Sequence, residues 1–239
     1  MRDDAEELDA DRLRELFQEL SDRFAERGQQ AQLFVVGGAA MALEYDGGRV
    51  TRDVDAVFAP GPEVRQLAEE LSAAHGLEPD WINDAVKGFM PGQDDSPRTV
   101  FESESLLVQV PSPQYLLAMK LHAARDERDL NDAATLYNKI GYTTAAEGRE
   151  LLTRTYPPAQ LLPRHRYVVE EVAQRAAAQR DKTPSGVEPG ARSADLRSAS
   201  YPQPATEVTR HGPDSPQARA RTSGPYGRGY GGSGRGEGR

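Results

Sequence analysis

Asp53 and Asp55 stand two apart in the run Thr51–Phe58, TRDVDAVF, whose other residues favour a buried strand. Successive strand side chains point to opposite faces, so residues two apart share one. Val54, Ala56 and Phe58 then fill one face, and the two carboxylates lie side by side on the other. Neighbouring carboxylates repel unless a cation lies between them. The pair therefore either marks an exposed strand end or holds a metal. Upstream, Gly37 and Gly38 follow the apolar run QLFVV and open AAMALEY, which reads as a helix. A helix N-terminus presents unpaired N–H groups and a positive dipole end, which suits a phosphate. Glycines let that phosphate approach the backbone. Carboxylates take hard cations such as Mg²⁺ or Mn²⁺. A phosphate cradle beside a divalent-metal site is what nucleotidyl transfer needs. One metal neutralises the triphosphate and a second activates the attacking hydroxyl. Alone, Gly-Gly reads as a tight turn and Asp-x-Asp as surface. With about 14 residues between Gly38 and Asp53, the two together read as one nucleotide site.

These residues need a frame. Leu13, Leu16, Phe17, Leu20 and Phe24 recur at helical spacing, and Gly28 follows as a stop. QLFVV and RDVDAVF read as strands, EVRQLAEELSAAH (63–75) as an amphipathic helix. RTVFES and SLLVQV read as a paired hairpin. Helices fill the rest to residue 180. Ser112 and Pro113 suit an N-cap and first helical position. Gly141 is a stop, Thr144 and Glu147 have capping-box spacing, and the last helix spans about Arg164–Arg180. The fold class expected is α+β: a small mixed sheet with flanking helices over 1–111, then a helical part over 112–180 that completes the domain.

Composition narrows the classes. The 239 residues carry a net charge of −9 and no cysteine. Disulfides, thiol nucleophiles and Cys-type zinc sites are excluded. The acidic balance excludes a surface that is one nucleic-acid footprint. No run of 18 apolar residues predicts a membrane span, and the acidic start MRDDAEELDADRLREL does not suit a signal peptide; a cytoplasmic protein is expected. From residue 181 the chain turns rich in Gly, Pro, Ser and Arg and loses apolar periodicity. Segment 181–239 is therefore expected to be disordered. It holds nine Lys/Arg against six Asp/Glu, leaving twenty against thirty-two in 1–180. Its GRGYGGSGRG resembles Arg-Gly segments that bind RNA, or is a solvated extension.

FVVGGAAMALEYDGGRVTRDVDAVF resembles the signature of the polymerase-beta-like nucleotidyltransferase superfamily. VPSPQYLLAMKLHAARDERDLNDAATL is similar to the AbiEii and MenT-type nucleotidyltransferase toxins and related bacterial proteins. The resemblance covers roughly residues 30–140. It implies metal carboxylates at Asp53 and Asp55, a phosphate-binding turn at Gly37 and Gly38, and a phosphate-contacting lysine at Lys120. It also implies an Arg-Asp-x-x-Asp element at Arg128, Asp129 and Asp132, with Asp132 counted among the catalytic residues. Thr51 joins the nucleotide-binding set. The implied reaction is NMP transfer from an NTP, assisted by Mg²⁺ or Mn²⁺, onto RNA or tRNA, with a cognate antitoxin as partner. A small-molecule or protein acceptor, or a non-catalytic nucleotide-binding module, are the alternatives.

Plainer roles stand beside these. Lys120 snorkels from an ordinary helix, contacts phosphate, or meets Asp129 or Asp132. Asp129 serves as an N-cap with Asp132 at the third helical position. Asp126, Glu127 and Arg128 form a solvated cluster, and Arg125 is a weaker phosphate contact. His75, His122, His165 and His211 show no ligand spacing, and Trp81 packs. The resemblance also implies a third carboxylate on a later strand, next to the Asp pair, yet LLVQV offers Gln109. Glu102, Glu104 and Asp132 are the substitutes.

Overall fold

The apolar stripe of the first segment winds into α1 (Ala10–Glu26), N-capped by the Asp9 side chain, with Leu13, Leu16, Phe17, Leu20 and Phe24 all buried. The computed structural model describes residues 6–182. QLFVV becomes β1 (Ala31–Val35). Gly37, at φ +64, turns the chain directly into α2 (Gly37–Ala40). The expected helix then continues as a π-helical turn, Met41–Tyr45. The Tyr45 hydroxyl donates to the Pro111 carbonyl, and desolvation pushes that phenol well above its ordinary pKa.

Strand β2 (Val54–Ala59) buries Val54, Ala56 and Phe58 and leaves Asp55, Val57 and Ala59 half-buried, the alternation read from the sequence. Asp53 lies just before the strand rather than within it. Helix α3 (Gly61–His75) and the two-residue strand β3 (Ile82–Asn83) follow, then a 3₁₀ turn at Ala85–Phe89. Trp81 is fully buried and donates its indole N–H to the Ala68 carbonyl. The expected hairpin forms from β4 (Arg98–Glu102) and β5 (Leu106–Val110).

The five strands form one mixed sheet in the order β3-β2-β1-β5-β4. β1 runs antiparallel to β2 and parallel to β5, and β2 runs parallel to β3. One face carries the main core. On the other, Phe34 and Val36 pack with Tyr115, Val57, Val86, Met90 and Met119. With the helices of the C-terminal part this is an α+β fold.

Helix α4 (Pro113–Ala123) begins where Ser112-Pro113 placed it. Ser112 caps Tyr115 N, while buried Asp94 accepts from Ser112 N at 2.5 Å and from its Oγ at 2.8 Å. Helix α5 (Glu127–Lys139) starts one turn earlier than Asp129 would place it. Asp126 is the N-cap, accepting from Asp129 N at 3.0 Å. Both aspartates offer the required oxygen, and the earlier one takes the cap. The chain leaves α5 through Gly141, at φ +79. Helix α6 (Ala145–Thr155) has the Thr144–Glu147 capping box, and α7 runs Arg164–Lys182. Asp181 and Lys182 thus belong to a helix; the rest of the expected tail lies outside the described residues. Among the described residues, no helix is long and apolar enough to cross a membrane.

Candidate functional site

The loop between the π turn and β2 is pinned before it reaches Asp53. Asp46 Oδ1 accepts from Gly48 N. Leu8 and Thr51 exchange two backbone hydrogen bonds, at 2.7 and 3.0 Å. Thr51 Oγ1 then donates to the Asp53 carbonyl at 3.1 Å and approaches its Oδ1 at 3.3 Å. Val36 N donates to the Asp55 carbonyl, so Asp55 enters the sheet beside the Gly-Gly turn.

That turn has little spare room. A Cβ built on Gly37 would lie 3.1 Å from Asp55 Oδ2. One built on Gly38 would lie 2.9 Å from Thr51 Oγ1 and 3.3 Å from Arg49 Nη2. Glycine is needed at Gly38 because a side chain there would occupy the space between the turn and the Thr51 loop.

The C-terminal helices deliver the other half. Lys120, 8% exposed, donates to Asp129 Oδ1 at 2.9 Å and to Asp132 Oδ2 at 2.7 Å. Asp132 is 4% exposed and also accepts from Arg49 Nε at 3.2 Å. Asp129 Oδ2 accepts from Arg125 N at 3.1 Å. An α4–α5 ion cluster is thereby joined through Arg49 to the Gly38 turn. The charges of Lys120 and Arg125 reach Asp55 and favour its ionised form, as does a hydrogen bond from Asn83. Burial and the neighbouring charge of Asp53 outweigh them, and the Asp55 carboxyl is held above its usual range.

The structure gathers Gly37, Gly38, Thr51, Asp53, Asp55, Lys120, Asp129 and Asp132 into one region. Arg128 is exposed and its side chain makes no hydrogen bond among the described residues. It is Arg125 whose charge is felt at Asp55. The search for a third carboxylate also changes. In register, Asp55 pairs with Asn83 on β3, so its strand neighbour is Asn83. Gln109 lies two strands from β2, opposite Phe34, which in turn faces Val57. Glu102 falls in the row Ala59–Gln32–Leu107–Glu102. Ala59 is four residues beyond Asp55, about 13 Å along the strand. Glu102 and Glu104 are exposed, and Glu102 cannot reach Asp55. Asp132 is already engaged by two cations. Among the described residues, no three His, Asp or Glu side chains come together as a metal-holding group.

Arg49 is the residue the sequence did not single out. Its contact with Asp132 spans 83 positions, and no local pattern marks it. The histidines are less scattered than their spacing suggests. The His122 ring stacks on Tyr156 at 4.1 Å, and the His165 ring lies 4.7 Å from His122. That group packs α4 against the start of α7. Burial, with help from His122 and Arg164, pushes the His165 pKa down.

A family model described as "Nucleotidyltransferase of unknown function (DUF6036)" matches residues 11–143. The match covers more than half of the chain and includes every residue of the cluster above. The chain belongs to this family. It is thereby a nucleotidyltransferase-family protein, with NMP transfer from an NTP as its general reaction class. No curated protein and no solved structure gives a match. Within this nucleotidyltransferase, α6 and α7 lie wholly beyond the matched span.

Proposed function

We propose that the protein is a Mg²⁺- or Mn²⁺-dependent nucleotidyltransferase that moves NMP from an NTP onto a hydroxyl acceptor. The observation that supports this most is the meeting of the Gly37–Gly38 turn with Asp55 Oδ2, which sets a carboxylate directly against the glycine turn that opens α2. The donor set fits the ion. Asp55 is half-buried, and its ionised form is disfavoured by burial and by the charge of Asp53; a divalent cation would offset both. Mg²⁺ characteristically takes one or two carboxylates and completes its shell with water and substrate phosphates. Asp53 and Asp55 would hold it. Bound there, it would neutralise the triphosphate and activate the attacking hydroxyl.

The chain's own residues orient the reactants. Gly37 and Gly38 carry no Cβ, which permits close approach to the backbone of the turn. Thr51 fixes Asp53 through its backbone and carboxylate. Lys120, held by Asp129 and Asp132, places positive charge toward Asp55 and favours its ionised form. The acceptor we propose is RNA, tRNA included, in the manner of the AbiEii and MenT-type toxins, with an antitoxin protein as partner. The acidic balance of 1–180 means that attraction for RNA must come from local cations or the Arg-rich tail. A second reading, nucleotide binding without transfer, is favoured by the neutral Asn83 as the strand neighbour of Asp55.

Calorimetric titration with each NTP tests the metal-linked nucleotide site. Binding is expected in Mg²⁺ or Mn²⁺ and absent in EDTA. Equal affinity in both conditions, or no binding of any NTP, would overturn the reading.

A further inference from the structure

We propose that Arg49 is the cation that binds the nucleotide's phosphate chain at the Gly37–Gly38 turn, and that Asp132 holds it in position. This rests on the nucleotidyltransferase reading of the site. A guanidinium offers five N–H groups in a fixed fork. Arg49 Nε donates to Asp132 Oδ1 at 3.2 Å, and Nη1 donates to the Val50 carbonyl. Nη2 has no hydrogen-bond partner among the described residues, and it is the nitrogen that lies against Gly38. The side chain is only 18% exposed, so this is not a freely moving surface arginine. Nε and one Nη1 proton are committed to Asp132 and the loop backbone. Nη2, with the remaining Nη1 proton beside it, is the part of the fork left to donate, and Nη2 lies on the Gly38 side.

The competing cations are less suited. Lys120 has both carboxylates of the α4–α5 cluster on its ammonium. Arg125 is exposed, and its side chain makes no hydrogen bond among the described residues. Arginine also matches phosphate oxygens in a bidentate way that lysine cannot. Asp132 then acts through Arg49 and Lys120, orienting the one and neutralising the other, and it is not a metal ligand. The ligand class is a polyphosphate: the triphosphate of an NTP, with inorganic tripolyphosphate as its minimal form.

The test is titration of full-length wild type, Arg49→Lys and Arg49→Gln with tripolyphosphate and with the preferred NTP and its NMP, all in Mg²⁺. Melting temperatures are measured in parallel. Arg49→Lys keeps a cation for Asp132 but loses the second arm of the fork. It should melt near wild type, bind tripolyphosphate and NTP about tenfold or more weakly, and bind NMP almost unchanged. Arg49→Gln should weaken tripolyphosphate at least as much. Unchanged tripolyphosphate affinity in Arg49→Lys overturns the inference while leaving the functional reading intact. An equal loss for NMP and NTP, accompanied by a lower melting temperature, assigns Arg49 to the fold and also overturns it. Wild type that binds neither NTP nor tripolyphosphate sinks the functional reading and the inference with it.

Discussion

Asp55→Asn is expected to abolish transfer, by on the order of 10²-fold or more, while raising the melting temperature at neutral pH. The two effects have one origin. The Asp55 carboxyl is held above its usual range by burial first and by the charge of Asp53 second, against the smaller pull of Asn83, Lys120 and Arg125. A carboxyl that is raised on folding binds its proton more tightly in the folded chain than in the unfolded one. Stability therefore falls as pH rises from the unfolded carboxyl value, about 3.9, through the raised folded value. Above the raised folded value the whole penalty is present. Asparagine removes it, so the variant should melt above wild type at pH 7. That advantage should shrink as the solution is acidified and vanish once wild-type Asp55 is protonated in both states. Mg²⁺ with nucleotide should raise the wild-type melting temperature by mass action and leave the variant's unchanged. A variant that melts below wild type at pH 7 would show that Asp55 is held by its cations rather than strained against Asp53.

Lys120→Met carries the largest expected stability loss. Its ammonium lies between Asp129 and Asp132, at 2.9 and 2.7 Å, with Asp132 almost fully buried. Methionine fills the volume of the stem but leaves Asp132 with Arg49 alone. Breaking a buried pair by removing one partner costs about 3–5 kcal/mol, or a melting temperature roughly 10 °C lower for a domain of this size. Nucleotide titration below the transition separates the roles. A structural Lys120 predicts an affinity change of less than about tenfold, whereas a direct phosphate contact would cost about tenfold or more. A variant unchanged in stability would contradict the buried cluster.

Local chemistry was the legible part. Period-two alternation in Val54–Phe58, the Ser112-Pro113 start and the Thr144–Glu147 box are decided within a few residues, and each stands as its spacing indicates. What depends on register or long separation was not legible. The neighbour of Asp55 is Asn83 because a two-residue strand pairs with β2, and two residues are too few to show a period. Gln109 drew attention as a residue on a plausible strand, yet β1 stands between its strand and β2. Asp126 and Asp129 compete for one cap, and composition alone does not choose. Arg49 meets Asp132 across 83 positions, a contact that depends on how α5 packs.

The most direct measurement is incubation of the full chain with α-labelled NTPs, Mg²⁺ and total RNA, followed by separation of RNA, protein and small molecules. The account predicts label on an acceptor, RNA foremost, with wild type in Mg²⁺ and none with Asp55→Asn or in EDTA. Label transfer that persists undiminished in Asp53→Ala and Asp55→Asn, or wild type that transfers no label to any of the three fractions, would contradict it.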